Sequence, residues 1–269
     1  MISQKIIVAI VALSALSIIT GYLMLSSECE CPIMPAHVEY ATINGKRKFE
    51  ENPLLKNKNF YNEKYWSYQE GQGAFGGKAE AFKFRDLIKP TDILIDYGGG
   101  GGFLLHTLVA ARKILIEPNP HARKHAATKF GLEVYAAPED VPVDVYADII
   151  ISNHCLEHVP NPLEELSKLH QLLRAGGTFC VVVPVDAALG APYHRDDINH
   201  HIYTWNGLLL GNLVTDAGFE VVLSEEIQYQ WPPNFEAVWI SLGEEGFLNA
   251  AHKYAISNNN KQVRLVAKA

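Results

Sequence analysis

The 269-residue chain sets 23 Lys and Arg against 30 Asp and Glu, a net charge of −7 with no long basic run, which argues against nucleic acid as its main partner. Hydrophobic residues make up 48% of it, ample for a sizeable core, and its length leaves room for one α/β domain plus an appendage. The four cysteines make no disulfide framework: Cys155 and Cys180 lie in apolar contexts, and Cys29 and Cys31 are too close to pair comfortably with each other.

Ile6 to Leu25 runs without a charge. That is the roughly 20 residues needed to cross a hydrocarbon core, and longer than the roughly 7–15 of a secretory apolar region. The expected element is a single-pass transmembrane anchor (residues 1–25 with its short tail), a signal cleaved after Ser27 being the alternative. Cys29 and Cys31, just beyond it, are read as solvent-side thiols, with acylation the alternative. Lys5 before the span and Glu28, Glu30 and Glu39 after it place the amino terminus on the cytoplasmic side. One lysine does not fix an orientation, so the side of the membrane that carries the domain stays open. Residues 26–58, with Pro32, Pro35, Asn44-Gly45 and Lys46-Arg47-Lys48, read as a tether.

The domain proper is expected over residues 59–269. Phe60 to Trp66 is an aromatic segment that either covers a ligand or packs on the outside of the core. Lys78 to Lys89, with Ala79, Phe82 and Leu87 apolar, predicts an amphipathic helix stopped by Pro90. Ile93-Leu94-Ile95-Asp96 reads as a buried strand, and it runs into the glycines Gly98 to Gly102 and a helix from Phe103 to Arg112. Strand, glycine turn and helix start let backbone N–H groups approach a ligand without Cβ atoms in the way. The spacing is Asp96-x-Gly98-x-Gly100-x-Gly102. In the dinucleotide fingerprint G-x-G-x-x-G the third glycine would fall on Phe103 or Leu104. A carboxylate at this place repels a pyrophosphate and suits an ammonium or sulfonium.

A second strand, Lys113 to Glu117, ends in an acid placed to accept both hydroxyls of a nucleoside ribose. Pro118-Asn119-Pro120 opens a helix to Phe130 closed by Gly131, and Leu132 to Ala136 is the third strand. Asp148 to Ser152 is the fourth. Leu163, Leu166, Leu169, Leu172 and Leu173 stripe a helix ending at Gly176-Gly177, and Thr178 to Val183 is the fifth strand. A helix from Trp205 to Ala217, a sixth strand from Phe219, a helix around Glu244 to Ala255 and a final strand, Gln262 to Ala267, complete the chain.

The D-x-G-x-G-x-G spacing, the acid ending the second strand, Ala147 to Val159 and Leu172 to Phe179 together resemble the class I S-adenosylmethionine-dependent methyltransferases. The nearest likeness is to the ubiquinone-type and related small-molecule enzymes, over roughly residues 60–269. The resemblance implies a doubly wound, mostly parallel seven-stranded sheet whose last strand inserts antiparallel between the fifth and sixth. It implies S-adenosyl-L-methionine as cofactor. Asp96 would lie near its ammonium, Gly98, Gly100 and Gly102 along its backbone, and Glu117 with Pro118 at the ribose. The acid that many members set at the adenine is displaced here to Glu139 or Asp140, or missing. Asn153 and His154 would face the methionine part.

By the same resemblance His158 lies over the acceptor pocket and is the leading candidate for a general base. His201, in the polar loop from His194, is the second. Some ubiquinone-type enzymes hold a divalent metal in this stretch. Here His154 replaces the earlier acidic ligand, and the adjacent pair Glu157 and His158 does not make a site, so no metal is expected. The function implied is transfer of a methyl group from S-adenosylmethionine to an acceptor, a small or lipid-like molecule being favoured. A membrane-anchored, non-catalytic interaction module is the first alternative. A nicotinamide-dependent oxidoreductase is the second, disfavoured by the misplaced third glycine.

Overall fold

The computed structural model describes residues 42–43, 46–47, 63–185, 192–194 and 197–269. All of them belong to the unit Ala41–Ala269. The apolar stretch Ile6 to Leu25, Cys29, Cys31 and most of the tether lie outside the described residues. Among the described residues no helix is long and apolar enough to cross a membrane. Within the tether, Thr42–Ile43 pairs antiparallel with Lys46–Arg47.

The domain opens with α1 (Glu63–Glu80), then alternates strand and helix: β1 (Ile93–Tyr97), α2 (Phe103–Thr107), β2 (Arg112–Ile116), α3 (Pro120–Phe130), β3 (Glu133–Tyr135), β4 (Ala147–Asn153), α4 (Pro162–Leu172), β5 (Leu173–Val185), α5 (Gly207–Asp216), β6 (Glu220–Ile227), α6 (Phe235–Ser257) and β7 (Lys261–Lys268). The sheet order is β3-β2-β1-β4-β5-β7-β6. The first five strands pair in parallel, and β7 lies antiparallel between β5 and β6, as expected.

Alternate residues of the central strands feed two layers, which is why these strands read as unbroken apolar runs. Ile95, Ile150 and Phe179 point to the face covered by α4 and α5, through Leu166, Leu169, Leu210 and Val214. Leu94, Ile149 and Cys180 point to the face covered by Leu104, Leu105 and Ala126. A third cluster, Phe75, Ala79, Tyr229, Phe247 and Ala251, joins α1 to α6. The strand order reverses between β1 and β4, so the crevice at their carboxyl ends is where an α/β sheet offers a ligand site.

Several boundaries differ from the sequence expectations. Of the helix expected over 78–89 only residues 78–80 are α-helical, as the end of α1, which was not expected; short 3₁₀ turns at Ala81–Lys83 and Arg85–Leu87 follow it. Gly71, Gly73, Gly76 and Gly77 lower its intrinsic helicity, and burial of Trp66, Phe75 and Ala79 overrides that. Helix α2 stops at Thr107 because Leu108 turns extended toward β2. Helix α4 stops at Leu172, and β5 starts at once, with Gly176 at φ 70° carrying an irregularity in its pairing with β4. Helix α6 is longer than expected and breaks at Gly243.

Candidate active site

The glycine turn is pinned from three sides. The Gly98 N–H donates to the Ile116 carbonyl at 2.8 Å, tying the turn to β2. Gly98 sits at φ 74°, and a Cβ there would overlap the Cys155 sulfur, so only glycine fits. The Glu117 carboxylate accepts from the Gly100 N–H at 3.0 Å and from the Asn119 N–H at 2.8 Å. His125 Nδ1 lies 3.0 Å from the Gly101 carbonyl, which can only accept, so the ring donates from that nitrogen. The Trp66 and Phe103 rings stack 6.3 Å apart, and both crowd Gly101. His125 carries no sequence signal, because only the fold shows which face of α3 meets the turn.

Asp96 ends this arrangement from below. It is fully buried, and among the described residues neither carboxylate oxygen has a hydrogen-bond partner. Burial, reinforced by the nearby Glu117 charge, pushes its carboxyl up to about 7. Burial does the same to Glu117, to about 7, although its two backbone hydrogen bonds and Arg123 pull the other way. The buried Asp96 carboxylate, with no cation acting on it among the described residues, leaves room for a positively charged ligand.

Asp96 and Gly98 to Gly101 open into a cavity of about 1310 Å³, lined also by α1, the end of β4, residues 192–194 and 197–202, and Tyr229 to Trp231. Sites for one drug-sized ligand span roughly 300–1,000 Å³, so this one is larger than a single such ligand needs. Gly102 lies beneath the turn against Leu132 and Ala126. Pro118 is exposed at its flank, its carbonyl accepting from Arg123 at 2.8 Å. Glu139 is placed elsewhere. It belongs with Glu164 and Glu165 to a set of acids around Lys168, 3.9 Å from that ammonium, because the turn at Pro138–Asp140 packs against α4.

On the far wall Asn153 accepts from Lys83 Nζ at 3.5 Å, and His154 follows at φ 52°, a left-handed backbone uncommon outside glycine. Behind them Glu157 is fully buried. Its Oε1 lies 3.5 Å from His154 Nδ1, 3.9 Å from His158 Nε2 and 4.0 Å from His201 Nε2. Burial alone would raise the Glu157 carboxyl, but the imidazoles of His154 and His158 facing it outweigh that and hold the group below its usual range. For His158 burial wins over the Glu157 carboxylate, and the imidazole falls below its usual value. The His158 and His201 rings meet edge to face at 4.8 Å. His201 arrives because the Ile202 and Tyr203 N–H groups both donate to the Glu157 carbonyl.

Chain order left Glu157 and His158 as a pair of adjacent donors; the fold adds His201 as a third. Among the described residues these three alone form a grouping of metal-ligating side chains, with donor atoms within 4.8 Å of one another.

Residues 65–224 match the family model of the methyltransferase domain. The chain belongs to the class I S-adenosylmethionine-dependent methyltransferases. It is 30% identical over 115 residues to the chloroplastic 2-methyl-6-phytyl-1,4-hydroquinone methyltransferase of Arabidopsis thaliana, covering 39% of this chain and 34% of that one. It is 28% identical over 118 residues to a rice (Oryza sativa subsp. japonica) enzyme of the same description, covering 37% and 33%. These matches span about a third of the relatives' length. The fold is shared with a SAM-dependent methyltransferase from Archaeoglobus fulgidus (TM-score 0.53, 16% identity, 76% of this chain and 99% of that one). It is also shared with the [4+2]-cyclase SpnF (TM-score 0.51, 18% identity, 71% and 79%). S-adenosylmethionine, the family's cofactor, fits the residues present. The orphaned Asp96 carboxylate suits its ammonium, and the glycine turn leaves the close approach open.

Proposed function

We propose that this methyltransferase moves the methyl group of S-adenosylmethionine to a hydroxyl of a small, lipid-like aromatic acceptor. The observation that carries the reading is the buried, unpartnered Asp96 beneath a glycine turn that opens into one cavity with the Glu157–His158–His201 cluster. The names of the curated relatives, which act on a phytylated hydroquinone, support the acceptor class.

Bound S-adenosylmethionine supplies a methyl group already activated on a sulfonium, so the chain's task is mostly placement. In this reading Asp96 takes the cofactor's ammonium, and Glu117 takes the ribose hydroxyls with the lone pairs its two backbone donors leave unused. Asn153 and His154 border the amino-acid end. His158, kept neutral near pH 7 by burial, accepts the acceptor's hydroxyl proton with His201 beside it, and Glu157 stabilises the charge that results. The Trp66, Phe103 and His125 rings pack together at the turn.

Ile6 to Leu25 anchors the domain to a membrane in the same reading, which would bring it near a lipid-like acceptor. Retention of Asp96, the three spaced glycines and Glu117 speaks against a non-catalytic interaction module. The test is incubation of the protein with methyl-labelled S-adenosylmethionine and a membrane lipid extract, followed by identification of the labelled product. Label in a phenolic lipid supports the reading. Label confined to protein or to an amine would refute the acceptor class.

A further inference from the structure

Lys83 is a lysine with only 2% of its surface exposed, on the 3₁₀ turn after α1. Its ammonium has three N–H groups and meets three acceptors: the Glu80 carboxylate, Gln262 Oε1 at 2.6 Å and Asn153 Oδ1 at 3.5 Å. The Tyr229 ring covers it at 4.9 Å. The partners are themselves connected. Glu80 also accepts from the Trp231 indole at 2.8 Å, Gln262 donates to the Tyr229 carbonyl at 3.2 Å, and the Tyr229 hydroxyl donates to the Ala79 carbonyl at 2.7 Å. Glu80, Asn153, Tyr229, Trp231 and Gln262 all line the cavity, while Lys83 stands behind that wall.

Taking an ammonium out of water is costly, and an apolar side chain of similar volume would fill the same space without that cost. The cation therefore has to be explained by what it holds. It holds Asn153, the last residue of β4, and Glu80, the last residue of α1, so one charge fixes two walls of the cavity. We propose that Lys83 is a positioning residue for the cofactor site: it orients the Asn153 amide toward the cofactor's amino-acid end and locks the Glu80–Trp231 wall in register with it. This rests on the reading of the cavity as the S-adenosylmethionine site.

The test uses Lys83→Met combined with Glu80→Gln, which leaves no buried unpaired charge, and titrates S-adenosylhomocysteine by calorimetry. The double variant melts cooperatively but binds about tenfold more weakly, as does Asn153→Ala in the parent chain. Adding Asn153→Ala to the double variant costs less than it does in the parent chain, because the two share the Lys83–Asn153 contact. Unchanged affinity in the folded double variant, or losses that simply add, would overturn the assignment. A second measurement needs no variant: the buried Lys83 ammonium, slow to exchange, gives its own nitrogen resonance, and that resonance shifts when S-adenosylhomocysteine binds. An unmoved resonance under saturating ligand also overturns it. Absence of any binding by the parent chain would remove the cofactor reading itself, and the Lys83 assignment with it.

Discussion

Asp96 makes cofactor binding depend on pH in a direction the structure specifies. The free carboxyl titrates at about 7, raised by burial and by Glu117. An ammonium needs the ionised form. At one pH unit below that value roughly ten carboxyls in eleven are protonated, so affinity for S-adenosylmethionine falls about tenfold between pH 8 and pH 6, one pKa unit being about 1.4 kcal/mol. Glu117, raised to about 7 as well, adds to the same trend. Binding near pH 7 therefore releases protons. The free protein shows the opposite sign. A carboxyl raised in the folded state contributes stability that is present at low pH and is lost as pH rises through about 7, so these two groups lower the melting temperature of the free chain between pH 6 and pH 8. Calorimetry at both pH values, in buffers of different ionisation enthalpy, reads affinity and proton release together. Asp96→Asn keeps the shape, weakens binding by about 1.5–3 kcal/mol and flattens the pH dependence. A parent chain whose affinity is the same at pH 6 and pH 8, with no protons released, would refute the electrostatic account of this site.

Glu117→Ala removes the ribose acceptor and also frees the Gly100 and Asn119 N–H groups, so cofactor affinity drops by at least the 1.5–3 kcal/mol of one charge-assisted bond; unchanged affinity by calorimetry would end the ribose assignment. Once an acceptor is in hand, His158→Ala lowers turnover about 10²–10⁴-fold while cofactor binding survives, and chelation leaves the parent enzyme active. Normal turnover with an earlier melt would make His158 structural, and activity lost to a chelator and restored by a divalent cation would make Glu157, His158 and His201 a metal centre. Deleting residues 1–58 leaves a soluble domain that melts cooperatively, since its three clusters draw on later residues, whereas the full chain stays in the membrane pellet through alkaline carbonate washing. Release by the wash would show that Ile6 to Leu25 is not a span.

The central strands were legible because both of their faces are buried, which leaves a run such as Ile149-Ile150-Ile151 apolar without alternation. The cofactor side was legible for a different reason. Asp96 and the glycines are nearly consecutive at the end of one strand, Glu117 follows the next strand, and the order of elements alone brings them together. What could not be read lies in long-range contacts. Helix α1 hides behind four glycines, and its placement depends on Phe75 and Ala79 packing against α6. His201 joins Glu157 through two backbone hydrogen bonds across more than forty residues, and Lys83 reaches Gln262 across 179 positions. Neither distance leaves a trace in local periodicity. Glu139 shows the converse, a residue displaced along the chain whose partner proved to be Lys168.

The claim that this site performs methyl transfer is tested most directly by the product of the cofactor. The protein, S-adenosylmethionine and a short-chain alkylated hydroquinone are mixed, and S-adenosylhomocysteine is quantified against methylated hydroquinone. The account predicts equal amounts of the two, both lowered by Asp96→Asn at cofactor concentrations that just saturate the parent. Cofactor that binds with Asp96 and Glu117 engaged, yet yields no S-adenosylhomocysteine with hydroquinones or with membrane lipid extract, would contradict it and leave a binding module in place of an enzyme.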